Sequence, residues 1–161
     1  MSINKYQPHI FVLPEDDANR QMAVGFILYP GVNSSAIQVL PPAKGWAKVV
    51  DQFKTDHVSE LHRYSQRMIV LLIDFDDDKD RFRYVKSQIP DDLKKRVFIL
   101  GVQSEPESLK SDIRKTFESI GKALAKDCPG IANELWEHDL LRQNKPELDR
   151  MFKEVKTFLF N

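Results

Sequence analysis

The stretch "MIVLLIDFDDDKDRF", residues 68–82, sets six apolar residues directly against Asp74, Asp76, Asp77 and Asp78. The apolar run is continuous rather than alternating, as expected of a strand buried on both faces of a parallel sheet. The acids mark where that strand must meet water. On the N-terminal side, "HIFVLPE" (9–15) is a short, partly β-branched run, followed by "DDANRQMAVGFIL" with Ala18, Met22, Ala23 and Phe26 at helical spacing. "IQVLPP" (37–42) reads as a second strand stopped by prolines, and "GWAKVVDQFKTDHVSELHRY" sets Trp46, Val49, Val50 and Phe53 on one face of a second helix.

Beyond the acids, Phe82 and Val85 mark a short third helix ending near Pro90, and "RVFILGV" (96–102) is a fourth strand. "PESLKSDIRKTFESIGKALA" predicts one amphipathic helix through Leu109, Ile113, Phe117, Ile120 and Leu124, with Pro106 in its first turn and Ser104 as cap. The remainder, "GIANELWEHDLLRQNKPELDRMFKEVKTFLF", reads as two more helices separated by "QNKP". This alternation predicts an α/β fold: an open, mostly parallel sheet of about four strands with helices on both faces, plus C-terminal helices. The expected organisation is one domain over 1–161, with a core at about 9–125 and a helical extension at about 126–161. In the order 2-1-3-4, strands 1 and 3 flank the point where the winding reverses, the usual ligand position in open α/β sheets. Their carboxyl ends carry Glu15 and Asp74/Asp76.

At 161 residues, a chain buries roughly 68–70% of its unfolded surface and needs no staples. The single Cys128 forms no internal disulfide and no thiolate cluster, and no local feature lowers its pKa. No apolar run approaches the roughly 18 residues of a membrane span, and the N-terminus has no long apolar segment of the signal-peptide kind. The expectation is a cytoplasmic protein without a membrane partner. Lys plus Arg and Asp plus Glu both number 24, so the net charge is zero and any binding of a polyanion must come from a local site. Neither "GVNSS" nor "PAKGW" has the phosphate-loop pattern. His57 and His62 stand five apart, which turns their rings about 140° from one another on a helix, so both read as surface residues. Trp46 and Trp136 read as packing residues on apolar helix faces.

In an extended strand Asp74 and Asp76 point to the same side while Phe75 points away. Carboxylates gathered within a few ångströms raise one another's pKa, and a divalent cation removes that cost. Magnesium takes hard oxygen ligands at about 2.0–2.1 Å, typically one or two carboxylates with water and substrate phosphate completing the shell. Glu15, Asp74 and Asp76 suit it. Asp16, Asp77, Asp78 and Asp80 read more simply as helix caps and solvated loop.

In order and motif, residues 9 to 125 resemble the TOPRIM domain shared by topoisomerases, primases and the overcoming-lysogenization-defect nucleases: a strand ending in Glu, helix, strand, helix, then a strand ending in Asp-x-Asp. The resemblance implies that Glu15 acts as general acid/base or metal ligand and that Asp74 and Asp76 bind magnesium or manganese. It also implies an acid early in the helix after the fourth strand, best matched by Glu107 with Glu105 as competitor. Family members often have Gly after the first Glu; here Asp16 and Asp17 follow, and Asp17 is an added candidate ligand. The implied activity is metal-dependent phosphodiester chemistry on nucleic acid, by a nuclease or nuclease subunit, with DNA ahead of RNA as the partner and the choice between them left open by the sequence. Arg20, Lys79, Arg81 and Arg83 lie near enough in sequence to the acidic loops to orient a phosphate, and an ATPase is the implied protein partner. Two other readings stand beside it: a non-catalytic TOPRIM-like interaction module, and a receiver-like domain phosphorylated on Asp74. A receiver needs a Lys ending a fifth strand, and only helical patterns follow "RVFILGV".

Overall fold

The computed structural model describes residues 3–128 and 134–161. Four parallel strands, β1 (His9–Pro14), β2 (Ile37–Val39), β3 (Arg67–Leu72) and β4 (Val97–Leu100), lie in the order β2-β1-β3-β4. The chain thus leaves β1 toward one edge and returns to β3 on the other side, and the winding reverses between β1 and β3. All four strands are short, and β1, β3 and β4 are almost wholly buried, which is why their sequences run apolar without alternation, while the edge strand β2 exposes Gln38.

Alternate residues still face opposite layers. Ile10, Val12, Met68, Val70, Phe98 and Leu100 pack beneath α1 (Asp17–Leu28), α6 (Phe117–Asp127) and α7 (Lys145–Leu159). Leu13, Ile69, Leu71, Val97 and Ile99 pack on the opposite face, beneath α2 (Trp46–Gln52), α3 (Val58–Arg63) and α4 (Lys79–Ser87). Helices α1 and α6 meet through glycines: a Cβ on Gly25 would lie 2.0 Å from the Glu118 carbonyl oxygen, and one on Gly121 would lie 1.8 Å from that of Met22. Only hydrogen fits at either point, so the two backbones come closer than side chains would permit.

The C-terminal segment closes the free edge of β4 with side chains in place of a strand. Asn144 accepts from the Gly101 N–H at 3.0 Å and donates to the Gly101 carbonyl at 2.8 Å. Glu147, only 4% exposed, accepts from the Ile99 N–H at 3.0 Å, and Arg150 donates to the Val97 carbonyl at 2.7 Å. Backbone groups that would recruit another strand are therefore satisfied. Among the described residues no fifth strand pairs with β4, so the receiver reading lacks the element that would carry its lysine.

Several helical expectations need correction. The single helix expected from Pro106 is two, α5 (Pro106–Ile113) and α6: Arg114 turns left-handed at φ 61°, and Thr116 caps the new start by accepting from the Ser119 N–H at 3.1 Å. A side-chain cap inside an apolar period re-aims the axis, here toward the glycine contact with α1. Glu105 rather than Ser104 is the N-cap of α5, and it makes no side-chain cap bond. The helix expected before "QNKP" is not formed over 134–141, which is a series of turns held by bonds such as Trp136 Nε1 to the Leu124 carbonyl at 3.0 Å; its first residues, 129–133, lie outside the described ones. Trp136 is accordingly on a turn, not a helix face. The helix over 46–63 contains one π turn, Phe53–His57, between α2 and α3. Among the described residues no helix is long and apolar enough to cross a membrane.

Candidate metal centre

Where β1 ends, the backbone of Glu15 is pinned from both sides. Its N–H donates to the Leu72 carbonyl at 2.9 Å, and its carbonyl accepts from Lys44 at 2.7 Å and Gly45 at 3.2 Å. Two successive N–H groups converge on that one oxygen because Lys44 (φ 72°) and Gly45 (φ 140°) both take positive φ after the proline stop of β2. The Glu15 carboxylate then accepts from the backbone N–H of Asp74 at 3.1 Å, across 59 positions of sequence.

Asp74 is placed just as firmly. Extended pairing with the end of β4 continues past Leu72 through Ile73 to Leu100 (3.0 Å) and Phe75 to Val102 (3.0 Å). The chain then turns sharply: Asp76 (φ 51°) and Asp77 (φ 54°) are left-handed, and their N–H groups donate to the Ser104 and Gln103 carbonyls. Aspartate tolerates that conformation better than most residues. Asp78 follows as the cap of α4, accepting from the Asp80 N–H at 2.9 Å. The extended geometry that would set Asp74 and Asp76 on one side therefore ends one residue early. Asp74 is 8% exposed, whereas Asp76 lies in the solvent-facing loop.

Asp16 completes the cluster. It caps α1 by accepting from the Asn19 N–H at 3.0 Å, and ligand atoms of Glu15, Asp16 and Asp74 all lie within 4.8 Å of one another. Oxygens in one magnesium shell of about 2.1 Å radius stand roughly 3–4 Å apart, so small side-chain movements would close this set on an ion. A fourth polar group is already inside. Asn19 is fully buried on the apolar stripe of α1, its Nδ2 donates to Asp74 Oδ1 at 2.9 Å, and its own Oδ1 has no hydrogen-bond partner. A buried orphan oxygen is costly, but it is the Nδ2 arm of the amide that faces Asp74 and fixes its carboxylate. The three carboxylates are donors of the hard-oxygen kind that magnesium or manganese takes.

Electrostatics reinforce the geometry. Burial pushes the Asp74 carboxyl up to about 8, with the Asn19 hydrogen bond opposing and the charges of Glu15 and Asp16 adding to the rise. Glu15 is also raised, by burial first, against the lowering bond from the Asp74 N–H. Without a cation Asp74 favours its protonated form at neutral pH. Arg81 borders it, donating from Nη1 to the Asp74 carbonyl at 2.7 Å, while its Nε is buried and unpartnered.

The other sequence candidates are placed elsewhere. Asp17 is exposed and accepts from Arg20 Nε and Gln21 Nε2, both at 2.7 Å, so Asp17 and Arg20 neutralise one another outside the acidic group. Glu107 is exposed in the first turn of α5, and Lys79 is exposed at the start of α4; neither Glu107 nor Asp76 joins the group within 4.8 Å. Asn19 and the double role of Asp16 were not foreseen. The legible signal was a polar residue three and four positions ahead of Met22 and Ala23, on the apolar face of the helix. No family model matches the chain, and no curated protein or solved structure matches it.

Proposed function

We propose that this protein is a metal-dependent phosphodiesterase of the TOPRIM type, a nuclease or nuclease subunit acting on nucleic acid in the cytoplasm. The observation that carries the reading is the junction of Glu15 and Asp74 at the reversal of the sheet, with a ligand atom of Asp16 within 4.8 Å of both. In this reading Glu15, Asp16 and Asp74 hold magnesium or manganese, and Asn19 orients Asp74. A divalent cation so bound lowers the pKa of its water and neutralises charge on a phosphate. Glu15, half-buried at the carboxyl end of β1, is in this reading also the group placed to exchange a proton with the attacking or leaving oxygen. Arg81 offers guanidinium donors beside Asp74 for a phosphate oxygen. A neutral chain has few cations to grip a duplex, so a partner such as an ATPase supplies the rest.

Calorimetric titration of Mg2+ and Mn2+ at pH 8, with cleavage of plasmid and single-stranded DNA in parallel, tests the proposal. Wild type is expected to bind one cation or two and to cleave; Asp74→Asn and Glu15→Gln are expected to stay folded and lose both properties. Asn19→Ala should weaken cation binding roughly 10–100-fold, the usual effect of removing a residue that orients a ligand. Undiminished cleavage by Asp74→Asn, or no cation binding by wild type, would refute it.

A further inference from the structure

Beside the carboxylates lies a wall of aromatic and cationic side chains of which the metal reading uses only Arg81. Arg81, bonded to the Asp74 carbonyl, places its guanidinium 4.7 Å from the ring centre of Trp46. Trp46 opens α2 and meets Tyr84 of α4 edge to face, with centroids 5.8 Å apart and planes at 90°. Trp46 is partly buried against the core and is fixed by it. Tyr84 is 49% exposed, one of three large hydrophobic residues that the described surface leaves open. Three contacts thus lead without a gap from the acidic centre to an exposed aromatic ring held upright by a second ring.

The charges around this wall favour a polyanion. Lys44 and Lys48, at the start of α2, are exposed and make no ion pair among the described residues. Arg83 is 85% exposed and faces only the equally open Asp80, at 3.6 Å. Exposed acids stand on the same helices, Asp51 on α2 and Asp80 on α4, so the attraction for phosphate is local to Lys44, Lys48 and Arg83.

Resting on the phosphodiesterase reading, we infer that the substrate is single-stranded nucleic acid, with a base next to the reacting phosphate stacked on Tyr84 and its backbone drawn along Lys44 and Lys48. A paired base in a duplex has no free face to offer the ring, whereas every unpaired base has one. The few cations set a modest affinity that falls with salt.

The test is fluorescence anisotropy in EDTA with a labelled 20-nucleotide single strand, as DNA and as RNA, against the same sequence in duplex form. The single strand is expected to bind more tightly than the duplex, Tyr84→Ala to lose about tenfold, Tyr84→Trp to retain binding, and Lys48→Glu to weaken it. Binding unchanged by Tyr84→Ala, preference for duplex, or no binding of either single strand overturns the inference. A calorimetric Mg2+ titration of the same proteins in EDTA-free buffer reads the carboxylates separately: an intact titration with no strand binding removes the platform alone, and strand binding with no titration removes the metal centre alone.

Discussion

Replacing Asp74 by Asn should stabilise the cation-free protein, and by an amount that grows with pH. In the folded state the carboxyl is pushed up to about 8 from an ordinary 3.8, chiefly by burial and then by Glu15 and Asp16. Since the folded value lies above the unfolded one, the favourable contribution is fully present below about pH 4 and is lost as pH rises toward 8. A difference of about four units corresponds to at most ~6 kcal/mol. Glu15 and Asp16 are only half-buried, and an effective dielectric near 20 reduces the figure to roughly 2–3 kcal/mol. Asn keeps the oxygen that accepts from Asn19 and carries no charge. In urea unfolding, Asp74→Asn should therefore match wild type near pH 4 and exceed it by roughly 2–3 kcal/mol at pH 8, or by about 4–12 °C in Tm for a chain of this size. Titrations away from the cluster cancel in the difference because both proteins share them, whereas Glu15, coupled to Asp74, titrates differently in the variant and contributes to the same pH-dependent difference. A cation at 100 times its Kd should return about 2.7 kcal/mol to wild type and nothing to the variant. A difference that is flat with pH, or equal stabilisation of both proteins by Mg2+, would refute the assignment of Asp74 as a strained, cation-seeking group.

Three further perturbations probe the frame around the site. Gly121→Ala would drive a methyl into the Met22 carbonyl, 1.8 Å away, and separate α1 from α6; a loss of about 1–3 kcal/mol or more is expected in denaturant unfolding, and an unchanged midpoint would show that the helices can part freely. His9 is buried and accepts from Arg67 Nε at 3.0 Å, and burial holds its pKa below 6.5. Its contribution is thus present above pH 6.5 and lost as pH falls, so wild type should weaken between pH 6.5 and 5 more than His9→Gln, which keeps an acceptor without titrating. Glu147→Ala would orphan the Ile99 N–H and two cationic partners, Lys86 and Arg150, costing roughly 2–4 kcal/mol; proteolysis of the C-terminal segment should accelerate with it.

The sheet is legible because β1, β3 and β4 are buried, β-branched or leucine-rich runs, and because proline marks the ends of β1 and β2 and Asp74 that of β3. The helices were less so, and for physical reasons. An apolar period continues unbroken from Leu109 to Leu124, yet the Thr116 cap and the left-handed Arg114 divide it, a local choice that hydrophobic spacing does not encode. In the same way "NELWEHDLL" has helical spacing, but among the described residues its backbone bonds form turns, with Trp136 anchored to the end of α6.

At the acidic centre the difference between sequence and structure lies in one backbone reversal. A spacing of two puts Asp74 and Asp76 on one face only while the strand continues. Two left-handed residues, each bonded to the loop after β4, end it at Phe75 and send Asp76 to solvent. The place left beside Asp74 is taken from the other strand, by Asp16 and Asn19 on the first turn of α1. That first turn is held by the cap that Asp16 itself provides and by the glycine contact between α1 and α6, so one carboxylate both starts the helix and joins the centre. An acid used as a cap is favoured at a helix N-terminus whether or not an ion is near. What distinguishes this centre is the pair the cap does not need: a buried Asp74 held protonated at neutral pH, and a buried Asn19 whose amide fixes its carboxylate.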